Sequence, residues 1–455
     1  MKYPSSKYFA LLLLFLPVMA MADTYSLQQA IAAALQNDPE FQGLLAKTRA
    51  DTEVISQARS ALLPRVQFQA TQTSNNTSIQ SQGAAPQSFA YDYTARNQSL
   101  TLSQPLYRRS ALMELNRSEV AVSASELELA AGMQQSIDRV TNAFIEKLSV
   151  DTNIKSVQAE LEAKELQLTL SRQQLLAGFG SLVDVKKLEA QTQATRAKIE
   201  ELRAKQVLNA TSLERLTGRA WPNYFISPVL ARTCAENFKT SVNESISNLK
   251  DFPLQRHPKV AALQMRYDAA GWETSKRTSA HYPTLDLIAS VTQGKSASEL
   301  VIGRDINTQA IGFQLVVPIY SGGSTSSAVR EAAALRDKAE MDLRNMQISV
   351  ANERSVARAQ ILATIAKISS DLAAMEAAEL ALQLETRRLQ QGIGSDVDLS
   401  IAHSRYYSAA ASLAITGVKL ISDYSKLRLA DGDLSQDSLS GASSTIRMCL
   451  DAPSN

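Results

Sequence analysis

The sequence predicts an α+β chain, mostly α, in which a pair of long antiparallel helices and a β-hairpin occur twice. Three observations predict it. Proline is absent from Leu106 to Trp221 and again from Ile319 to Ala452. Proline breaks helix interiors, so two such blocks invite two long helical regions. The stretch GFGSLVDV, Gly178 to Val185, returns as GIGSDVDL, Gly392 to Leu399, at an offset of 214 (392 − 178). Other landmarks repeat with it: Pro39 and Pro258 stand 219 apart, as do Pro64 and Pro283, while Pro105 and Pro318 stand 213 apart and Gly218 and Gly432 stand 214 apart. The one large jump falls between Pro64 and Pro105, and an insertion of about six residues in one loop accounts for it, which makes the pattern an internal duplication.

In chain order, residues 1–22 read as an export signal. Lys2 and Lys7 form its positive start, FALLLLFLPVMA its apolar core, and Ala20-Met21-Ala22 supplies small residues for a cut after Ala22. The apolar run is too short to span a bilayer as a helix. Asp23 follows the cut rather than cysteine, so no amino-terminal lipid is expected. Losing Lys2 and Lys7 takes the basic count from 47 to 45, equal to the 45 acids. A mature chain of zero formal charge argues against nucleic acid as a partner. The two cysteines, Cys234 and Cys449, lie just outside the long helical regions. An exported chain permits a disulfide between them; two free thiols are the alternative.

Residues 23–217 form the first repeat: a helical stretch ending at Leu62-Leu63-Pro64, a β-hairpin over 65–104, and a helical hairpin with its tip at 178–184. Residues 218–251 follow as a separate segment. The second repeat, 252–431, has the same order, with a helical stretch ending at His281-Tyr282-Pro283, a β-hairpin over 284–317 and a tip at 392–398; residues 432–455 are a tail. The helix before each tip spans about 70 residues, or about 105 Å. Helices of that length build a rod or a tube. A walk in steps of three and four from Val185 meets Leu188, Thr192, Thr195, Ile199, Leu202, Gln206, Asn209, Leu213 and Leu216. The same walk from Leu399 meets Ala402, Tyr406, Ala409, Leu413, Thr416, Leu420, Asp423, Leu427 and Ala430. This heptad-like pattern is weakened by polar positions, which suits a helix packed against several neighbours.

The strands alternate. Val66, Phe68 and Ala70 oppose Arg65, Gln67, Gln69 and Thr71; Leu285, Leu287, Ala289 and Val291 oppose Asp286, Ser290 and Thr292, with Ile288 the one exception; Ile311, Phe313, Leu315 and Val317 form a third apolar face, and in the less clear strand from Ser99 to Gln104 only Leu100 and Leu102 mark an apolar side. About ten residues with this dyad period matches a transmembrane β-strand, although a half-buried soluble sheet has the same pattern. Four strands cannot close a barrel, and an open edge in lipid would leave backbone groups unpaired. A barrel therefore demands several copies. Two give eight strands, whose side chains fill the bore; three give twelve, which leaves a channel.

ALQNDPEF, ALLPRV, LYRRSALMEL, FQLVVPIYSGGSTSSAVREA and the paired Gly-x-Gly-Ser stretches, in this order and with the duplication, resemble the TolC family of outer-membrane channel proteins from about Tyr25 to Gly432. The resemblance implies a homotrimer: a transmembrane β-barrel with four strands per protomer, joined to a long antiparallel α-helical barrel that tunnels through the periplasm. It implies a belt around the tunnel, made of Trp221 to Asp251 and the tail after Gly432. Cys234 and Cys449 fall in these two segments, which supports their bridge. It implies partners as well: outer-membrane lipid, a periplasmic adaptor, and an inner-membrane ABC transporter or other pump. VPIYSGG and ALQNDP look closer to the type I secretion branch, which passes unfolded protein, than to small-molecule efflux.

By this resemblance the Gly-x-Gly-Ser stretches are the two turns at the periplasmic end of the tunnel. Gly178, Gly180, Ser181, Gly392, Gly394 and Ser395 are then the tip that meets the adaptor. Glycine supports the reversal, and each serine suits the N-cap of the next helix. Asp184, Asp396 and Asp398 are the gate and selectivity candidates, Asp398 in an acidic ring that favours cations and Asp184 holding the closed tip. The plainer reading is that acids at helix N-termini complement the dipole. The family pattern is departed from at Ile401, where a second acid is often found, and at Gly394, where arginine is often found.

No catalytic constellation appears, and no cofactor is expected. His257, His281 and His403 lack metal-ligand spacing, and the turn motifs lack the third glycine and the preceding strand of a phosphate loop. No G-x-S-x-G elbow is present. The chain is therefore read as no enzyme. A periplasmic adaptor and a pore-less coiled-coil rod are the competing classes, and four amphipathic strands speak against the first.

Overall fold

The computed structural model describes residues 26–80, 88–247, 253–298 and 301–450; the export signal read in residues 1–22 lies outside them. In chain order the elements are α1 (Leu27–Asn37), α2 (Pro39–Ser60), β1 (Arg65–Gln80), β2 (Ser88–Tyr107), α3 (Arg109–Leu176), α4 (Leu182–Thr217), α5 (Ala231–Ser247), α6 (Pro258–Thr278), β3 (Thr284–Ser298), β4 (Val301–Val316), α7 (Ser324–Gln390), α8 (Asp396–Asp431) and α9 (Ser440–Cys449). Short helix, β-hairpin, long helix and return helix thus occur twice.

The first repeat has two helices where one stretch is expected before Pro64. Asp38 precedes Pro39, and a residue before proline avoids the helical region. It ends α1 and caps α2, its carboxylate accepting the Glu40 N–H at 3.1 Å. In the second repeat His257 holds the same place before Pro258. Its ring accepts the Lys259 N–H at 3.2 Å as the cap of α6.

The four strands form one antiparallel sheet in the order β1-β2-β3-β4. They run for 16, 20, 15 and 16 residues, longer than the ten or so expected. The ladder continues beyond the apolar stretch because threonine, serine and asparagine side chains leave the backbone free to pair. β2 also runs past Gln104 to Tyr107, carrying Pro105 at a register shift, where a strand tolerates proline. β4 stops at Val316, one residue short of the expected end. Within the hairpins the two repeats have one register: Val66 faces Leu102 as Leu285 faces Leu315, and Phe68 faces Leu100 as Leu287 faces Phe313.

α3 and α7 span 68 and 67 residues, about 100 Å each, and α4 and α8 span 36. α2 and α6 pack on α3 in its first part, and α4 and α8 pack on it farther on; α7 runs beside α6 and then α8. Of the walk predicted along α4, Val185, Thr192, Thr195, Ile199, Leu202, Leu213 and Leu216 are buried. Along α8 the buried members are Ala402, Leu413, Thr416, Leu420, Asp423, Leu427 and Ala430.

The main core lies at the waist of the molecule. It joins Leu27 and Ile31 of α1, Ile137 and Phe144 of α3, Leu213 of α4, Phe238 of α5, and Leu413, Leu420 and Ile421 of α8. Each such side chain contributes about 1.5–3 kcal/mol by leaving water. Cys234 of α5 and Cys449 of α9 are joined by a disulfide across 215 residues. Ile226 pairs with Leu450 in an isolated bridge beside it.

Candidate functional site

The two helical tips are built alike, and the residue types explain the motif. The Phe179 N–H donates to the Gln174 carbonyl at 2.9 Å and the Gly178 N–H to that of Leu175 at 3.1 Å. The Ile393 N–H donates to the Arg388 carbonyl at 3.1 Å and the Gly392 N–H to that of Leu389 at 3.0 Å. This is the Schellman arrangement, which closes a helix on a left-handed residue. Gly178 and Gly392 are that residue, at φ of 81° and 74°. The second glycine serves a different need. A Cβ on Gly180 would lie 2.5 Å from the Leu175 backbone nitrogen, and one on Gly394 2.5 Å from that of Leu389. Ser181 and Ser395 then cap the return helices, each hydroxyl accepting the N–H two residues on, of Val183 and Val397, at 3.2 Å. Left-handed stop, close backbone crossing and N-cap are the three functions that Gly-x-Gly-Ser encodes.

Asp184 lies in the first turn of α4, and Asp396 and Asp398 in the first turn of α8. All three are exposed. Among the described residues none of the three carboxylates makes a hydrogen bond or ion pair. Both tips point the same way: Glu160 to Gln167 of α3 and Ile401 to Ser408 of α8 line one groove, so the two turns lie a few helical turns beyond it.

The tips also carry apolar side chains that the Gly-x-Gly-Ser motif does not announce. Phe179 is 91% exposed and Ile393 69%, with Leu176, Leu182 and Val183 also exposed around the first turn. Bulky apolar side chains on a small-residue turn were the signal. They have no core to enter, and they give the tip an apolar surface.

At the other end, the sheet has one apolar and one polar face. Rows run across all four strands: Val66, Leu102, Ala289 and Ile311, then Phe68, Leu100, Val291 and Gln309. Phe313 is 72% exposed on this face among the described residues. The row Ala70, Gln98, Gln293 and Asn307 ends the apolar stretch, and the charged row Gln72, Arg96, Lys295 and Asp305 follows, with Lys295 and Asp305 paired at 3.0 Å. From Leu285 to Val291 the apolar run of β3 covers about 20 Å of strand, with Gln293 and then Lys295 beyond it on the same face. The opposite face carries rows such as Gln69, Ser99, Thr292 and Thr308. At the foot of the sheet Arg108 forks onto Asp286 with bonds of 3.0 and 2.9 Å, and Arg109 lies 4.7 Å from the centre of the Tyr282 ring.

Comparison with known proteins agrees with this geometry. The family model "Outer membrane efflux protein" matches the chain twice, over residues 30–219 and 253–433. The two matches coincide with the two repeats. The proteases secretion protein PrtF of Dickeya chrysanthemi is 25% identical over 92% of this chain and 90% of its own length. The alkaline protease secretion protein AprF of Pseudomonas aeruginosa is 26% identical over 89% and 84%. The crystal structure of the Campylobacter jejuni CmeC outer membrane channel superposes with a TM-score of 0.71 at 15% identity, over 90% of this chain and 86% of that one. The chain belongs to the outer membrane efflux protein family of TolC-type channels: it is an outer-membrane channel protein with a helical tunnel in the periplasm, and not an enzyme.

Proposed function

We propose that three copies of this chain form the exit duct of a type I secretion system, through which unfolded protein crosses the periplasm and the outer membrane. One observation carries the reading: a single four-stranded sheet with a bare apolar face and two unpaired edges, joined to helices of about 100 Å. An edge is intolerable in lipid, and three sheets give the twelve strands that leave a bore. The helices then continue the bore into the periplasm. The segment from Trp221 and the tail after Gly432 belt it, with the Cys234–Cys449 bridge holding them together.

The tips are the docking end. Phe179, Ile393 and their apolar neighbours offer an adaptor a surface that water does not favour. Asp184, Asp396 and Asp398 put carboxylates on the same rim, where they set a preference for cations. The duct itself does no chemical work; an inner-membrane ABC transporter supplies the energy. Protein as cargo is favoured by the relatives PrtF and AprF, which are named for the secretion of proteases. Small-molecule efflux is the second reading, favoured by the family's description as efflux proteins.

Deletion of the gene from its host separates the two. Loss of a protein from the culture medium with unchanged drug susceptibility supports the secretion duct. Unchanged medium protein with increased susceptibility to small toxic compounds contradicts it in favour of efflux.

A further inference from the structure

The chain contains one complete strand-to-strand junction between its repeats, β2 against β3, and lacks the next one. β1 and β4 are edges, and their described side chains are exposed from Arg65 to Ser74 and from Asp305 to Val316. The inner strands are mostly half-buried over the same rows. An offset of 219 carries β1 onto β3, and one of 213 carries β2 onto β4, as Pro64/Pro283 and Pro105/Pro318 require. The hairpins obey both offsets: Arg65 with Ser103 becomes Thr284 with Val316, Ala70 with Gln98 becomes Ala289 with Ile311, and Ser74 with Thr94 becomes Gln293 with Asn307. The same offsets applied to the β2–β3 junction write the missing junction residue by residue. Ser99 opposite Thr292 becomes Gly312 opposite Thr73, and Thr101 opposite Ser290 becomes Gln314 opposite Thr71.

We infer that a second copy of this chain joins along β4 and β1 in this register, Gly312 opposite Thr73 and Gln314 opposite Thr71 of the neighbouring copy, and that this junction lacks the polar lock of its counterpart within the chain. The inference rests on the trimeric reading and adds the register to it. The alternation supports it, because Phe313 and Leu315 then fall on the face of Gln72 and Ala70, which is also the face of Phe68 and Val66. A slip of one residue would turn one sheet's apolar face into the bore. A slip of two keeps the faces and breaks only the pairing.

The difference in the lock follows from the same offsets. Arg108 and Asp286, bidentate within the chain, correspond to Ser321 and Gln67. Arg109 and Tyr282, stacked within the chain, correspond to Gly322 and Leu63. Both charged contacts are therefore missing from the junction between copies. That junction is held by the ladder and by apolar packing, and it is the weaker of the two kinds.

Cysteine pairs test the register. The only native cysteines are bonded to each other, so they do not interfere. Gly312→Cys with Thr73→Cys is predicted to give covalent trimer on non-reducing gels of outer membranes. Directly opposed residues sit within disulfide reach, whereas Gly312→Cys with Thr71→Cys or with Asn75→Cys meets on a diagonal of about 7–8 Å and is predicted to stay monomeric. Within one chain the two edges lie about 14 Å apart, so a bond inside a copy does not compete. Cross-linking confined to a diagonal pair overturns the register and leaves the trimer. No cross-linking in a protein that native mass spectrometry finds trimeric overturns the β4–β1 junction. A monomer by native mass spectrometry overturns the trimeric reading beneath it. For the lock, Ser321→Arg with Gln67→Asp is predicted to hold the trimer in SDS to a temperature a few degrees above the wild type and either single variant; no gain from the pair overturns the missing lock.

Discussion

The two helical hairpins end in the same turn and are braced differently. Between α3 and α4, Arg172 pairs with Glu189 at 2.8 Å, Arg196 with Glu165 at 2.7 Å, and Lys164 bonds Thr195 at 2.8 Å. These bonds continue almost to the first tip. The Arg172 guanidinium, aided by Lys186, holds the Glu189 carboxyl below the usual range. Between α7 and α8 the polar bonds are deep at the waist, Thr364 to Asp423 and Thr416 to Asp371, both 2.6 Å. Beyond that last pair, toward the second tip, no hydrogen bond or ion pair joins α7 to α8 among the described residues. One sequence motif has thus been placed on a braced hairpin and on a freer one. The turn sets the shape of each tip, and the ion pairs across the hairpin near the tip belong to the first hairpin alone among the described residues.

Four changes break or sharpen this comparison. The largest effect is expected at the second glycine, where the turns are the same. Gly180→Ala and Gly394→Ala each place a methyl against backbone, which costs about 1–3 kcal/mol at either tip. Hydrogen exchange at the start of α4 and α8 reads it, and a large inequality would mean the turns are not equivalent. Gly178→Ala and Gly392→Ala come next, at about 1–2 kcal/mol each for a left-handed alanine. The same exchange measurement ranks them below the first pair.

The bracing itself is a smaller effect. Glu165→Gln with Glu189→Gln removes ion pairs that the solvent largely screens, so the loss is small. The first residues of α4 are then expected to exchange as fast as those of α8, and high salt should do the same to the wild type. Unchanged exchange would show that packing, not charge, distinguishes the hairpins. The smallest effect on the comparison comes from the waist, which both hairpins share. Burial lowers the pKa of His257, its bond with the Leu429 carbonyl opposes this, and Lys259 and Arg354 disfavour the charged ring while Glu353 favours it. The folded ring is neutral, and the unfolded one gains a proton near pH 6.5. Stability is therefore full above that range and is lost as pH falls through the folded pKa. Thermal midpoints at about pH 8 and about pH 5 should differ less in His257→Asn, which keeps a helix cap. An equal pH effect in the variant would remove His257 from the account.

Much of the architecture was legible because the chain writes it twice. Pro64, Pro105, Pro283 and Pro318 bounded the hairpins, and the 3-4 walks from Val185 and Leu399 named the faces that are buried. The strand ends were less legible, since Ser74 and Thr94 pair as well as Val66 and Leu102 but carry no apolar signal. The break at Asp38 is signalled only by the proline after it, because the helical pattern resumes at once on the far side. Asp184, Asp396 and Asp398 were visible as acids after a turn. The bracing was not, because Glu165 meets Arg196 only once two helices are aligned.

The central claim is that the chain forms a channel. Its most direct test is conductance across a planar bilayer by the detergent-extracted protein, with Asp398→Ala and Asp184→Ala beside it. The account predicts discrete, cation-selective steps, reduced selectivity in Asp398→Ala and larger currents in Asp184→Ala. Silence from all three folded oligomers would contradict it.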